Sequence, residues 1–292
     1  MKLVAPGKSI TLSAVRPNEG VRMDYQGKVI ALVNKMHDEL LHGIKEIYPN
    51  LPGIAQDYAT VKQLSAMMEH VAAEWKKKFA VESKKIALAF ANHSMKATDV
   101  SFATGLRKAG FTVKMQMTQP IQNMLDTLVS QNVALIRSIG EQHLADVQGM
   151  VMRSVQGGRS MGELTKNLGN LVKLNRKPLE SDVSLLARTK RRAAFIARDQ
   201  NNKATANIHR ARQRQYGITH AKWLHTMASV HPRETHAEFN GETYAIEDGH
   251  DFNDDLGPVI PGEAFNCGCC SISIIPGMED VSEKETSEEQ AS

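Results

Sequence analysis

The sequence has 292 residues, which allows one large domain or two to three small domains with a substantial core. Hydrophobic residues make up 41% of the chain and charged residues 23%, the usual range for globular proteins. This composition excludes collagen and bulk disorder. A membrane protein is excluded because the longest uninterrupted apolar run, Ile86–Ala91, is too short to span a bilayer. The first residues lack the apolar stretch of a secretory signal, so we expect a reducing compartment or direct assembly into a particle.

The net charge of +4 is small, but it is unevenly distributed. Residues 176–214 carry eleven Lys or Arg and three acidic residues, whereas residues 278–292 carry six acidic residues and one Lys. The final stretch also lacks aromatic residues and is rich in Glu and Ser, so it is predicted to be a disordered tail.

The apolar spacing changes character along the chain. It predicts helices over residues 21–45, 58–79, 83–109 and 121–137, with another after Gly140. Beyond Gly217 it predicts short strands over 219–225, 243–246 and 271–275. The predicted fold class is mainly α with a small α+β C-terminal module of short antiparallel strands. The predicted segments are an irregular arm (1–20), an N-terminal helical domain (21–117), a helical segment (118–216), the α+β module (217–276) and the acidic tail (277–292).

The most regular predicted element is a helix over residues 181–216, capped by Ser181 or Asp182 and closed by Gly217. Its small apolar residues fall in a narrow stripe that favours close packing on another helix. That stripe contains Leu186, Ala193, Ala197, Ala204, Ile208 and Ala211. The basic residues fall away from it and are either a solvated surface or a contact surface for double-stranded DNA or an acidic partner. The candidates for such contact are Arg188, Arg191, Arg192, Arg198 and Arg210.

The three cysteines lie within four residues of one another, in the C-terminal module. Cys267 and Cys269, together with His236, offer the ligand types that zinc prefers, with His231 or Cys270 as candidates for a fourth ligand. Antiparallel pairing of strands 219–225 and 271–275 is expected to bring these groups together. The alternative to a structural zinc is that both cysteines are small buried residues that serve packing alone.

An enzymatic function is not predicted. The sequence His231-x-x-Glu234-x-His236 resembles a metalloprotease signature, but that chemistry needs histidines four apart on one helix face. Here they are five apart, with Pro232 between them. The chain also lacks the glycine-rich phosphate loops and the Gly-x-Ser-x-Gly sequence of serine hydrolases.

An ordered series of motifs in this region resembles the Mu F-like family of phage head morphogenesis proteins. The resemblance covers about residues 140–276, whereas residues 1–120 carry no motif of the family. Two departures are Gly268, where the family usually has Arg, and the added thiol of Cys270. The motifs are Ala187-Arg188-Thr189, Gly217, Trp223, Arg233-Glu234-Thr235-His236, Asn240-Gly241, Pro261 and Asn266-Cys267-Gly268-Cys269.

This resemblance implies a minor capsid protein that lies near the portal in the capsid interior and is assembled in the host cytoplasm. It implies the portal protein and capsid components as partners, no membrane, and a role in head assembly, DNA packaging or delivery. Two alternatives come from the residues themselves. One is a nucleic-acid-binding module with a zinc-stabilised β unit, and the other is a scaffold adaptor whose alanine stripe binds portal helices.

Overall fold

The computed structural model describes residues 9–47, 58–157, 164, 167–168, 184–226 and 232–276. The helices within these ranges are α1 (Glu19–Ile47), α2 (Tyr58–Lys108), α3 (Gln119–Gln156), α4 (Leu185–Gln215) and α5 (Glu234–Glu238). The strands are β1 (Ile10–Thr11), β2 (His220–Leu224), β3 (Thr243–Ala245), β4 (His250–Asp251), β5 (Pro258–Val259) and β6 (Cys270–Ile275). The predicted class, mainly α with short antiparallel C-terminal strands, is confirmed. In the ranges described, no helix is both long enough and apolar enough to cross a bilayer.

The chain divides into two compact units, each assembled from segments that are distant in sequence. Unit 1 comprises Met1–Val21, Ala91–Asp126 and Asp199–Ser292, and unit 2 comprises Arg22–Phe90 and Thr127–Arg198. The boundaries predicted along the chain do not coincide with these units, because α2, α3 and α4 each contribute to both.

Two predicted helix breaks are absent. The helices expected over 58–79 and 83–109 form one helix of 51 residues, because residues 80–82 contain neither glycine nor proline. Gly140 was expected to separate two further helices, but it lies within α3, which has 38 residues. A Cβ on Gly140 would lie 2.5 Å from Cζ of Phe79, so the glycine permits a close approach within unit 2.

Helix α4 begins at Leu185, and Ser184 caps it by accepting a hydrogen bond from the backbone N–H of Ala187 at 3.3 Å. The caps expected at residues 181 and 182 lie outside the described residues. At the other end, Gly217 adopts a φ of +68°, and the N–H of Ile218 donates to the carbonyl of Gln213 at 2.9 Å. This bond and the positive φ are those of a Schellman motif, so the predicted closure at Gly217 is present.

The alanine stripe of α4 lies inside the protein. Ala193, Ala197 and Ala204 are all buried within this single chain. These three alanines are therefore already covered within the chain, whereas Leu186 and Ala211 of the same stripe are half-buried.

The main sheet belongs to unit 1 and has the strand order β1-β6-β2-β3, with every neighbouring pair antiparallel. Strand β1 comes from the segment that was predicted to be an irregular arm, and the neighbouring Leu12 and Val15 are buried in the core beneath the sheet. A strand of two residues is too short for alternation to reveal it, so no sequence pattern predicts this pairing. Strands β4 and β5 form a separate two-stranded sheet.

Candidate metal centre

The pairing of β2 with β6 brings thiol and imidazole groups to one edge of the sheet. Leu224 and Cys270 are partners in the register, so the residue after β2, His225, lies beside the residue before β6, Cys269. The Nδ1 of His225 is 3.5 Å from the Sγ of Cys269. The register thus decides which imidazole meets which thiol.

The short helix α5 supplies a second imidazole. His236 is 1% exposed, and its ring stacks on Phe252 at 4.5 Å and meets the Trp223 ring edge-on at 5.0 Å between centroids. Its Nδ1 lies 3.5 Å from the Sγ of Cys267 and 3.8 Å from the Sγ of Cys269. The ligand atoms of His236, Cys267 and Cys269 all lie within 4.8 Å of one another. The structure thus brings together the three residues that the sequence singled out.

The cysteine loop is held in place from α4. Asp199 accepts a hydrogen bond from the backbone N–H of Asn266 at 2.6 Å, and Asn202 donates one to the carbonyl oxygen of Cys267 at 2.9 Å. Asn266 has a φ of +55°, a left-handed conformation in which asparagine is enriched. These contacts fix the turn that carries the two thiols.

Two further polar side chains hold the loops around the cluster. Asn240 accepts a hydrogen bond from the backbone N–H of His225 at 2.8 Å. Arg233 donates two hydrogen bonds to the carbonyl oxygen of Phe265, each 3.2 Å long. The loops that bear the imidazoles and the thiols are therefore connected directly to the module around them.

The two thiols differ in acidity. A hydrogen bond from the Cys269 thiol, reinforced by His236, lowers the pKa of Cys267, although burial opposes this effect. The same interaction with Cys267, together with burial, raises the pKa of Cys269. The shared hydrogen bond therefore favours one thiolate and one thiol in this pair.

The two expected fourth ligands have different outcomes. His231 lies outside the described residues. Cys270 is not one of the clustered ligand atoms, because its thiol donates to the carbonyl oxygen of Gly268 at 3.7 Å, and burial raises its pKa to about 11. Sequence reasoning did not assign His225 to the cluster, and only the β2–β6 register could have revealed it.

Glu234 and His236, two residues of the metalloprotease-like sequence, differ in their environment on α5. Glu234 is exposed, whereas His236 is buried. Residues two apart on a helix point about 200° apart, so the carboxylate faces away from the imidazole.

Comparison with known proteins bears on this same part of the chain. Residues 145–272 match the family described as "Phage Mu protein F like protein". The predicted resemblance to the Mu F-like family is confirmed. This Mu F-like region contains β2 through β5, α5 and the start of β6, and hence every residue of the thiol–imidazole cluster.

One curated relative extends the comparison beyond that region. A protein of Haemophilus influenzae (strain ATCC 51907 / DSM 11121 / KW20 / Rd), named "Uncharacterized protein", is 29% identical over 190 residues. The alignment covers 65% of this chain and 37% of the relative, so the chain spans little more than a third of the relative's length. No solved structure matches the chain significantly.

The basic residues of α4 do not share one environment. Arg188, Arg191 and Arg192 are exposed, whereas Arg198 and Arg210 are half-buried. Arg210 was expected to face outward, but its guanidinium donates to the backbone carbonyls of Ile246 and Glu247. Its role within the chain is to tie α4 to the segment after β3.

Arg212 is a structural residue that sequence reasoning missed. Its side chain is 1% exposed and pairs with Asp99 through two hydrogen bonds of 2.7 and 2.6 Å. It also donates to the carbonyl oxygen of Gln116 and to the side chain of Gln215. An arginine in a basic run is ordinarily solvated, so no local pattern distinguishes this one.

Proposed function

We propose that this protein is a minor structural component of a phage head, present in few copies near the portal. There it acts in head assembly and in DNA packaging or delivery. The observation that carries the proposal is the match of residues 145–272 to the Mu F-like family. Its partners in this role are the portal protein and capsid components. Its location is the capsid interior near the portal vertex, after assembly in the host cytoplasm.

The geometry of the cluster supports a structural role rather than a catalytic one. His236, Cys267 and Cys269 are 1%, 4% and 5% exposed. A nucleophile or a metal-bound water needs contact with substrate, and groups this deeply buried do not offer it. Buried thiols and imidazoles between short strands are instead suited to holding a small module together.

The proposal is tested in the phage or prophage that carries the gene. Purified heads are analysed by quantitative mass spectrometry, and a deletion strain is complemented in trans. We expect the protein in heads at a small fraction of the copy number of the major capsid protein. We also expect fewer DNA-filled heads after deletion, counted by electron microscopy. Absence of the protein from heads, together with an unchanged yield of filled heads, would refute the proposal.

Proximity to the portal has its own measurement. Cross-linking of intact procapsids followed by mass spectrometry is expected to join this protein to the portal protein. Cross-links to the major capsid protein alone would place the protein elsewhere in the head.

A second candidate function is contact with double-stranded DNA through α4. Arg188, Arg191 and Arg192 are exposed and spaced three and four residues apart, so they lie on one side of the helix. Three guanidinium groups this close can neutralise neighbouring phosphates without reading the base sequence. Weak binding that is independent of sequence and sensitive to salt is therefore expected.

The matched test replaces three charges at a time. The variant with Arg188, Arg191 and Arg192 changed to Gln is compared with a control in which the exposed lysines at 76, 84 and 96 on α2 are changed to Gln. Loss of three phosphate contacts reduces the slope of log K against log salt by at most about 2.7, since each contact contributes about 0.9. Equal losses in both variants would show that net charge, not this helix surface, drives binding. Absence of binding by the unmodified protein at low salt would exclude the DNA function.

A further inference from the structure

The thiol–imidazole cluster contains a fourth group that the sequence did not single out. His225 and Cys269 are adjacent at the open ends of β2 and β6, with 3.5 Å between Nδ1 and Sγ. Cys267 and His236 face the same place from the cysteine loop and from α5, also with 3.5 Å between Nδ1 and Sγ. Two imidazole–thiol pairs therefore meet, and Cys269 belongs to both through its contact of 3.8 Å with His236.

These separations are those of ligands around one tetrahedral ion. With Zn–S of about 2.3 Å and Zn–N of about 2.0–2.1 Å, a sulfur and a nitrogen ligand lie about 3.5–3.6 Å apart at the tetrahedral angle. Two of the observed separations are 3.5 Å and the third is 3.8 Å, so two agree and one is slightly longer. The ligand atoms of His236, Cys267 and Cys269 lie within 4.8 Å of one another, and His225 adjoins this group through the Sγ of Cys269.

The histidines have little other use for their ring nitrogens. The Nε2 atoms of His225 and His236 are both buried and have no hydrogen-bond partner among the described residues. Each Nδ1 faces sulfur, which is a weak hydrogen-bond partner. Coordination of a metal through Nδ1 replaces this weak contact with sulfur by a stronger interaction.

We propose that His225, His236, Cys267 and Cys269 form a structural Cys2His2 centre for a zinc ion. His225 rather than Cys270 is the fourth ligand. Both cysteines bind as thiolates, whose two negative charges balance the divalent ion, so the centre is neutral in the core. The centre joins the end of β2, the start of β6 and α5, which are otherwise connected only by short strands and loops. This proposal does not depend on whether the protein is a component of the phage head.

The first experiment measures metal in the full-length protein, purified from zinc-supplemented cells without chelator. About one zinc per chain is expected in the unmodified protein and in Cys270→Ala, which removes the nearby thiol that lies outside the centre. Cys267→Ser and Cys269→Ser are expected to contain almost none. Less than about a tenth of an equivalent in the unmodified protein, or equal zinc in all variants, overturns the proposal.

The second experiment isolates His225, which is half-buried and therefore tolerates replacement better than the cysteines. Competition with a chromogenic chelator is expected to show at least about a tenfold weaker zinc affinity for His225→Ala, a loss in the range that even supporting residues of metal sites produce. The matched control is His220→Ala, an exposed histidine on the same strand, which should retain the original affinity.

The absorption spectrum of the cobalt-loaded protein shows which ligands bind the metal and does not depend on a measurement of affinity. The unmodified protein loaded with Co²⁺ is expected to show the intense visible absorption of a tetrahedral centre together with thiolate-to-metal charge transfer. His225→Ala should alter the visible bands and leave the charge transfer of two thiolates. If His225→Ala matches the unmodified protein in both affinity and spectrum, His225 is not a ligand and the four-ligand centre is wrong.

Discussion

Removing the carboxylate of Asp99 is expected to destabilise unit 1 far more than its position on a long polar helix suggests. The carboxylate is 15% exposed and accepts both hydrogen bonds from the guanidinium of Arg212, which is 1% exposed. In Asp99→Ala the guanidinium keeps only the neutral oxygens of Gln116 and Gln215. A buried charge left without its partner costs about 3–5 kcal/mol of the free energy of unfolding.

The double variant Asp99→Ala with Arg212→Met separates this cause from simple loss of contacts. Replacing both charges with apolar groups removes the unpaired ion, so most of the stability should return. The control is Glu247→Ala, which breaks an ion pair with Arg214 whose side chains are 73% and 45% exposed. That loss should stay within about 1 kcal/mol, because exposed ion pairs contribute little.

The chain offers a probe that reports unit 1 alone. It has two tryptophans, of which Trp223 is buried in unit 1 and Trp75 lies in unit 2. Urea unfolding followed by Trp223 fluorescence in a Trp75→Phe background gives the free energy of unfolding of unit 1 if the transition is two-state. A loss below about 1 kcal/mol for Asp99→Ala would show that the Arg212 charge is solvated and that the reasoning is wrong.

Three further outcomes are expected from thermal denaturation. Gly140→Ala should lower stability by about 1–3 kcal/mol because its Cβ would overlap the buried Phe79 ring, whereas Gly27→Ala, with open space around it, should be neutral or slightly stabilising. Burial lowers the pKa of His143 to about 4 from its ordinary value of 6.5. Stability that is present above pH 6.5 should therefore be lost as the pH falls towards 4. If the melting temperature of His143→Gln depends on pH in the same way, this residue is not the cause. Chelator treatment should lower the melting temperature of the unmodified protein and leave that of Cys267→Ser unchanged, and equal shifts in both would show that the chelator acts elsewhere.

The sequence predicted where helices exist better than where they end. Apolar spacing depends on which side of a helix is buried, and that spacing located all the long helices. The expected stop at Gly140 was wrong because a glycine inside a helix can serve packing, and nothing local indicates that Phe79 lies against it. Likewise β1 has only two residues, and its pairing with β6 is a long-range contact that no local pattern encodes.

The thiol–imidazole cluster also combines features that the sequence predicts with features that only long-range contacts determine. That His236 lies near the cysteines follows from simple strand logic, because antiparallel neighbours must bring their connecting loops to one edge. The inclusion of His225 depends on the register, and a shift of one residue would put a different side chain beside Cys269. Arg212 and Asp99 are 113 residues apart, and both belong to residue types that are usually exposed, so their burial is visible only in three dimensions.

Several motif residues of the Mu F-like region lie around the buried thiol–imidazole cluster, in a module with few strands. Gly217 ends α4 so that β2 can begin, and Trp223 packs its ring edge against His236. Arg233 and Asn240 tie the loops on either side of the cluster. Of the family motifs, Trp223, Arg233 and Asn240 thus contact the cluster or the loops that carry it.

The two departures from the family pattern, Gly268 and Cys270, are the sequence neighbours of Cys269. Gly268 contributes its carbonyl oxygen, which accepts from the hydroxyl of Thr226 and from the thiol of Cys270. A backbone oxygen is present whatever side chain occupies position 268, so replacing the family's arginine leaves the cluster unchanged and removes only what that side chain would contact. The thiol of Cys270 donates to the same carbonyl, and burial raises its pKa to about 11. Neither Gly268 nor Cys270 supplies one of the mutually close ligand atoms of His236, Cys267 and Cys269.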